Sequence, residues 1–280
     1  MEYNYAQLRQ QLKEDGYVVI PALLSIDETL KYRDIIKDYF ESGKNYSTYT
    51  NGGMGVSNSF GFIADLRTLL SNKKITEVVS KICDHDLYYL HHCDAHYNRL
   101  SAWHKDSSHY VRNQWEERDG DESFLLYKLA LYLQDHSSDS NALTVRAGSH
   151  MIDDLVSGKE VVLKPKLGDV ILFDQRISHV GKQYDLKDKI VNRVFKFDQS
   201  KRSKAAALAR KVFKEKDKFS IFWGVGQNNE FSKEFSKNII ARQNKQNSTE
   251  STRIYTEVIG YLREHNVKYL EHEMNEYLTN

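Results

Sequence analysis

The sequence has little of what marks a secreted or membrane-spanning protein. Two cysteines among 280 residues, Cys83 and Cys93, are too few for a disulfide framework, and they lack Cys-x-x-Cys spacing. No apolar run approaches the length that spans a bilayer. The opening segment Met1–Tyr5 is polar and has no signal-peptide core. We therefore expect a protein of the reducing cytoplasm without a membrane partner.

The chain also lacks a strong net charge. It has 40 Lys and Arg against 39 Asp and Glu, which gives +1 at neutral pH. A nearly neutral chain has no long-range field that would attract nucleic acid, so we expect no nucleic-acid partner. Hydrophobic residues make up 40% and charged residues 28%, as in ordinary globular proteins.

Helical periodicity dominates the first part of the chain. Leu8 and Leu12 recur at helical spacing before Gly16, which is placed to end that helix. Ser25 followed by Glu28 is a capping-box pattern that predicts the start of a second helix. With no internal repeat or linker, we predict a single domain: a helical part at 1–86, a core at 87–200 and a mostly helical C-terminal extension at 201–280.

The core has the short, turn-bounded runs that are typical of strands. About eight such runs without helices between them predict a mainly β fold with flanking helices, namely a double-stranded β-helix, or jelly roll. One further apolar run, at Phe219–Trp223, predicts a last strand. The eight predicted strands are Leu87–Tyr97, Leu100–Ser107, Phe124–Gln134, Ala142–Arg146, Val161–Lys164, Asp169–Phe173, Ile177–Val180 and Ile190–Phe197.

Three residues suggest a metal site. His104 and Asp106 lie one residue apart in a predicted strand, so alternation sends both side chains to one face. A second His on a distant strand, His179, would complete a 2-His-1-carboxylate iron site. The chain holds another His-x-Asp, at His92 and Asp94, inside a strand. We interpret that pair as hydrogen-bonded strand residues without a ligand role.

Arg193 is the candidate anion-binding residue. In the predicted strand Ile190–Phe197 its side chain shares a face with Phe195 and Phe197. An Arg on an apolar face needs an anionic partner. That partner is either an internal carboxylate or the carboxylate of a ligand, which the planar guanidinium clamps well. Other cations that compete for this role are Lys182, Lys187, Lys189 and Arg202.

Several motifs resemble those of the phytanoyl-CoA dioxygenase family, a branch of the Fe(II)/2-oxoglutarate-dependent oxygenases. The resemblance covers roughly residues 10–200, with Ala147 where the family usually has proline. His150 belongs to one motif and is interpreted as structural. The motifs, in chain order, are Asp15-Gly16-Tyr17-Val18-Val19-Ile20-Pro21, Trp103-His104-Lys105-Asp106, Tyr132-Leu133-Gln134-Asp135, Asp139–His150, and Gly168–Asp174 followed by His179.

The resemblance implies an enzyme. His104, Asp106 and His179 would bind Fe(II), Arg193 would pair with the far carboxylate of 2-oxoglutarate, and dioxygen would be consumed with release of succinate and CO2. Because Asp106 is retained, where related halogenases have a small residue, hydroxylation is favoured over halogenation, and desaturation and ring formation stay open as alternative outcomes. We expect a small polar metabolite of a biosynthetic pathway as substrate.

The surroundings of the predicted site are loops and the C-terminal tail. Loops 44–60 and 107–122, with the tail after 200, are expected to shape the pocket. Within the second loop, His109, Tyr110, Arg112 and Trp115 are candidate contacts for a polar substrate, but we interpret this segment mainly as a solvated loop with a few anchoring aromatic residues. The alternative functions are a non-catalytic jelly-roll binding protein and a cupin-type metal enzyme that uses no 2-oxoglutarate.

Overall fold

The computed structural model describes residues 2–44, 46–49, 52–115, 124–182, 185–246 and 251–272. These ranges contain two β-sheets with helices packed against them, as the sequence predicts. The helices are α1 (Tyr5–Asp15), α2 (Ile26–Glu41), α3 (Ser59–Phe62), α4 (Lys73–Cys83), α5 (Leu186–Val194), α6 (Gln199–Val212), α7 (Glu230–Gln246) and α8 (Ser251–Glu264). The strands are β1 (Tyr17–Ile20), β2 (Ser47–Thr48), β3 (Met54–Ser57), β4 (Tyr88–Tyr97), β5 (Leu126–Tyr132), β6 (Thr144–Ala147), β7 (Lys159–Val162), β8 (Val170–Asp174), β9 (His179–Val180) and β10 (Phe219–Gly226).

The two sheets form the predicted jelly roll. The larger has seven strands in the order β1-β8-β5-β10-β4-β3-β2, and the smaller has the order β7-β6-β9. All strand pairs are antiparallel. One antiparallel bridge between His104 and His179 extends the smaller sheet beyond β9. This bridge brings two of the candidate ligands side by side.

Both faces of the larger sheet are buried. On β8, Val170 and Leu172 pack into a core shared with the N-terminal helices and α8. Ile171 and Phe173, the alternate residues, pack into a second core between the two sheets. A strand buried on both sides has a nearly continuous apolar sequence, which is why β8 is predicted to within one residue.

The N-terminal helices begin and end where their sequences predict. Gly16 ends α1 in the left-handed region at φ 80°, and its N–H donates to the Leu12 carbonyl. The Ser25 and Glu28 side chains exchange hydrogen bonds with each other's backbone N–H, which completes a capping box at the start of α2. Gly16 has a second constraint, because a β-carbon there would lie 2.5 Å from Nδ1 of His150.

The predicted strand Ile190–Phe197 is wrong. The segment Leu186–Val194 is helix α5, and Asp185 caps it through a reciprocal pair of hydrogen bonds with Asp188. Its apolar residues recur at i, i+4 and i+8, which is helical spacing. They are largely exposed, so they give no alternating buried face of the kind that a strand would show.

Two further predictions need correction. Leu100–Ser107 is not a strand, since only two isolated bridges pair there, Leu100 with Lys182 and His104 with His179. Loop 44–60 contains the hairpin strands β2 and β3 and the start of α3 within its described residues.

Among the helices that the structure describes, none combines the length and the apolar character needed to cross a bilayer.

Candidate metal centre and its pocket

Three side chains converge at the open edge of the smaller sheet. His104 Nε2 lies 3.6 Å from Oδ1 of Asp106, and His179 Nε2 lies 3.4 Å from Oδ2 of the same carboxylate. One possible ligand atom from each residue falls within 4.8 Å of the other two. In the part of the chain that the structure describes, this is the one such group of three found. The structure thus brings together the three residues that the sequence singles out.

The convergence has a different cause from the one predicted. The backbone N–H of His104 donates to the carbonyl of His179 at 3.0 Å, and the reverse bond is 2.9 Å. Asp106 then has helical φ and ψ and precedes a short 3-10 turn, Ser107–His109. Between them, Lys105 Nζ donates to the backbone carbonyls of Ser149 and Arg176 at 2.6 Å. The three side chains are therefore brought together by a β-bridge, a turn and a buried lysine, and not by the alternation of side chains along one strand.

Backbone carbonyls fix the two imidazoles in the orientation a metal requires. Nδ1 of His104 lies 2.8 Å from the Ala102 carbonyl, and Nδ1 of His179 lies 3.1 Å from the Ile177 carbonyl. A carbonyl only accepts, so each Nδ1 carries the proton and each Nε2 presents a lone pair. Both Nε2 atoms point to the Asp106 carboxylate, so the donor set fits a divalent cation.

The protonation states also suit a metal. Burial, and then His104, lower the pKa of His179 to about 3, so its imidazole is neutral. Burial on its own would raise the pKa of Asp106, but its neighbours, Lys128 first among them, outweigh that effect, and the pKa lies well below its usual value. Neutral imidazoles and an ionised carboxylate are the forms that ligate a cation.

The three residues line a cavity of about 210 Å³ between the sheets. Its wall is unusually polar for a protein interior and includes several cations and imidazoles. Besides the three, the lining residues that matter below are His92, Asp94, His96, Arg99, His109, Tyr110, Lys128, Lys218, Ser220, Phe222 and Arg242.

Solved structures with the same architecture are known. No protein-family model and no curated protein matches the chain. The non-heme α-ketoglutarate-dependent epimerase SnoN of nogalamycin biosynthesis superposes with a TM-score of 0.59 at 14% identity, over 80% of this chain and 82% of that one. EctD from S. alaskensis, solved with bound iron, gives 0.56 at 15% identity, over 79% and 76%.

A third similar structure is HygX from Streptomyces hygroscopicus, solved with nickel and 2-oxoglutarate. It gives a TM-score of 0.54 at 13% identity, over 79% of this chain and 87% of that one. The chain has the fold of the iron- and 2-oxoglutarate-dependent oxygenases. At these identities the similarity concerns the fold. It does not single out the phytanoyl-CoA dioxygenase branch within this oxygenase fold.

The cationic side chains that line the cavity do not include Arg193, the predicted anion-binding residue. Arg193 lies exposed on α5 and does not line the cavity, so the prediction that it binds a ligand there is not supported. Lys128 lines the cavity and donates to Oδ2 of Asp106 at 2.9 Å. Lys218 and Arg99 line it as well, and neither has a carboxylate partner among the described residues.

Lys218 is the more buried of these two cations, with 7% of its surface exposed. Its Nζ donates to the backbone carbonyl of Arg99 at 2.9 Å. Burial, and then the neighbouring charges of Lys182 and Arg99, lower the pKa of Lys218 to about 7, and Asp139 opposes them only in part. A buried cation without a counter-ion, facing a cavity, is a site prepared for an anion.

Part of the second loop belongs to the pocket. His109, which is exposed, and Tyr110, which is half-buried against Phe235, both line the cavity, so this end of the loop lies at the pocket. Trp115 instead donates its indole N–H to the His150 carbonyl, away from the lining, and Arg112 does not line the cavity either. Residues 116–122, the rest of that predicted loop, lie outside the described residues.

The sequence interpretation missed a polar strand face. His92, Asp94 and His96 alternate along β4 and all line the cavity, whereas Cys93 and Ala95 pack into the helix-side core. The signal was present in the sequence, because three polar residues at every second position of a buried strand indicate a polar site on one face. The prediction that His92 and Asp94 are hydrogen-bonded strand residues agrees with their 3.3 Å contact on β4, but it did not include their position on the cavity wall.

Proposed function

We propose that the protein is an Fe(II)/2-oxoglutarate-dependent oxygenase that hydroxylates a small polar metabolite. The observation that carries this proposal is the group of His104, Asp106 and His179. Their donor atoms lie within 4.8 Å of one another, and the imidazole tautomers are held by carbonyls. Two His and one carboxylate with open positions are the ligand set of non-heme iron oxygenases.

His104 and His179 would bind iron through Nε2 and Asp106 through a carboxylate oxygen. When bound with 2-oxoglutarate and dioxygen, the iron supplies the oxidising chemistry, and 2-oxoglutarate leaves as succinate and CO2. The residues of this chain position the substrate and exclude water, since the cavity lies between two packed sheets. Lys128, through its bond to Asp106, holds the carboxylate in place.

For the far carboxylate of 2-oxoglutarate we propose Lys218, with Arg99 beside it, instead of Arg193. Both are pocket cations that lack a carboxylate partner among the described residues. Ser220, two residues after Lys218, lines the same cavity and offers a hydroxyl donor. The anchor also separates this function from a cupin-type enzyme without 2-oxoglutarate, which has no use for two unpaired cations in its pocket.

Hydroxylation is the outcome we propose, because Asp106 is present as the third ligand. Similar solved structures include an epimerase and a carbocyclase of nogalamycin biosynthesis, so this fold supports more than one outcome. The motifs around Trp103 and Gly168 support membership of the phytanoyl-CoA dioxygenase branch. A non-catalytic binding protein would leave the two carbonyl-held imidazoles beside Asp106 without a role.

The test is an anaerobic titration with Fe(II) and then 2-oxoglutarate, followed by visible absorption. The wild type should show the weak charge-transfer band of a 2-oxo acid chelated to iron(II), and His104→Ala should not. His85→Ala replaces an exposed histidine outside the cavity and should behave as the wild type. A wild type that binds Fe(II) without developing the band would refute the proposed function.

A further inference from the structure

The cavity has a second polar region, away from the metal-binding group, which we call the Asp94–Arg242 subsite. It consists of His92 and Asp94 on β4, Arg242 on α7, and Tyr110, and all four line the cavity. Helix α7 packs directly on β4, where the ring of Phe235 lies edge-on to His92. The subsite is therefore held by packed secondary structure.

Several polar atoms of this subsite have no hydrogen-bond partner among the residues that the structure describes. Asp94 is 8% exposed, and its Oδ2 lies 3.3 Å from Nε2 of His92, but its Oδ1 makes no hydrogen bond. Nδ1 of His92 is unpaired too. Arg242 uses one amino group to donate to the Tyr110 hydroxyl at 2.7 Å, while its Nε and Nη2 donate to nothing.

The two charges face one cavity without neutralising each other. Burial would raise the pKa of Asp94, but His92 and Arg242 outweigh it and hold the pKa well below its usual value, so the carboxylate is ionised. Asp94 and Arg242 nevertheless form no ion pair with each other, although both are described residues. Unsatisfied buried polar atoms are costly and rare in native proteins, so this cluster calls for a ligand.

A second metal does not explain the cluster. His92, Asp94 and His96 share one face of β4, but they are not among the groups of described residues whose ligand atoms come close enough together. His96 Nε2 accepts from Arg99 at 2.5 Å, and burial, then Arg99, keep the pKa of His96 well below its usual value. Its available lone pair is therefore already used by a cation.

We propose that the Asp94–Arg242 subsite binds the substrate, and that the substrate is a zwitterion. Its ammonium, or another cationic donor, pairs with Asp94, and its carboxylate, or another anionic acceptor, pairs with Arg242. This assignment rests on the proposed function, in which the metal-binding group lies in the same cavity. Charge-assisted hydrogen bonds at both ends give each charge of the ligand a specific partner.

The test uses sets of unbranched probes that differ only in their end groups. Each set holds an ω-amino acid, the corresponding alkyl carboxylate, alkylamine and diol, with chain lengths from β-alanine to 6-aminohexanoate. Binding is measured by calorimetry on the anaerobic protein loaded with Fe(II) and saturated with 2-oxoglutarate. Saturation keeps probe carboxylates away from Lys218. At the best chain length, the amino acid should bind at least about tenfold more tightly than its three analogues.

Variants assign the two ends. Asp94→Asn should reduce the affinity for the amino acid to that for the alkyl carboxylate, and Arg242→Gln should reduce it to that for the amine. Lys245→Gln removes an exposed cation from the same helix and should leave all affinities unchanged. Circular dichroism establishes whether each variant is folded. If a variant does not fold, the probe affinities measured on the wild type decide the proposal.

A wild type that binds diols as tightly as amino acids, or that shows no preference at any chain length, overturns the zwitterion assignment. The charge-transfer band is recorded in the same samples, so the two hypotheses fail separately. A normal band without zwitterion preference refutes only the substrate class. If no band forms, the proposed function fails, and the panel measured on the iron-free protein still decides the subsite.

Discussion

Replacing Lys218 with methionine separates a 2-oxoglutarate anchor from a structural lysine. Lys218 is buried, lines the cavity and has no carboxylate partner among the described residues. Removing one partner of a buried, hydrogen-bonded charge pair costs about 2–5 kcal/mol. Lys218→Met should therefore weaken 2-oxoglutarate binding about 30- to 5,000-fold at 25 °C.

The pH dependence gives a second signature. Burial, with Lys182 and Arg99, lowers the pKa of Lys218 to about 7 in the ligand-free protein, and only the protonated amine pairs with a carboxylate. Affinity for 2-oxoglutarate should be constant below that pH and fall by up to about tenfold per pH unit above it. Lys218→Arg stays charged over this range, so any binding it retains should be independent of pH.

The same lysine should make the ligand-free protein less stable. Its pKa falls from 10.5 to about 7 on folding, which corresponds to at most about 5 kcal/mol of desolvation cost. That cost is fully present below pH 7 and disappears as the pH rises towards 10.5. Lys218→Met should thus raise the free energy of unfolding at pH 6 by a few kcal/mol, and less at pH 9.

The assay is anaerobic calorimetry of 2-oxoglutarate binding to the Fe(II)-loaded protein between pH 6 and 9, with chemical denaturation of the ligand-free protein. Arg193→Met is the matched control, because it removes an exposed cation of α5 and should change neither measurement. The reasoning is refuted if Lys218→Met binds 2-oxoglutarate as the wild type does, or if Arg193→Met loses binding.

Four other substitutions, one of them a control, test the metal site and the fold. Asp106→Ala should abolish the charge-transfer band and iron-dependent succinate release; a retained band would place the iron elsewhere. Gly16→Ala should cost about 2–4 kcal/mol in denaturation, because it combines positive φ with a contact of 2.5 Å to a side chain. Gly43→Ala, at φ 72° with open space around it, should cost only about 1–2 kcal/mol, and equal losses would contradict the contact. Ser25→Ala should lower the free energy of unfolding by about 1 kcal/mol through loss of the capping box, and no change would exclude that role.

Local signals in the sequence predicted the parts of the fold that obey local rules. The apolar run of β8 after the turn at Gly168, and the capping box at Ser25, depend on neighbours along the chain, and both are confirmed. Helix α5 was predicted as a strand because its apolar residues were taken for a buried face. The reciprocal Asp185 and Asp188 cap identified a helix.

The sequence predicted which three residues form the candidate metal site, but not the backbone contacts that bring them together. His104, Asp106 and His179 do meet, but through a bridge and a turn that depend on Lys105 binding two distant carbonyls. The prediction of Arg193 as the anion-binding residue rested on a strand, and the structure has helix α5 there instead. Lys218 gave no signal, since a lysine just before a strand resembles any solvated lysine until the tertiary structure buries it.

The most direct test of the account is a crystal structure of the anaerobic complex with Fe(II) and 2-oxoglutarate. We predict one iron bound by Nε2 of His104, Nε2 of His179 and a carboxylate oxygen of Asp106, with the far carboxylate of 2-oxoglutarate on Nζ of Lys218. Iron bound by other residues, or 2-oxoglutarate lying outside this cavity, would contradict it.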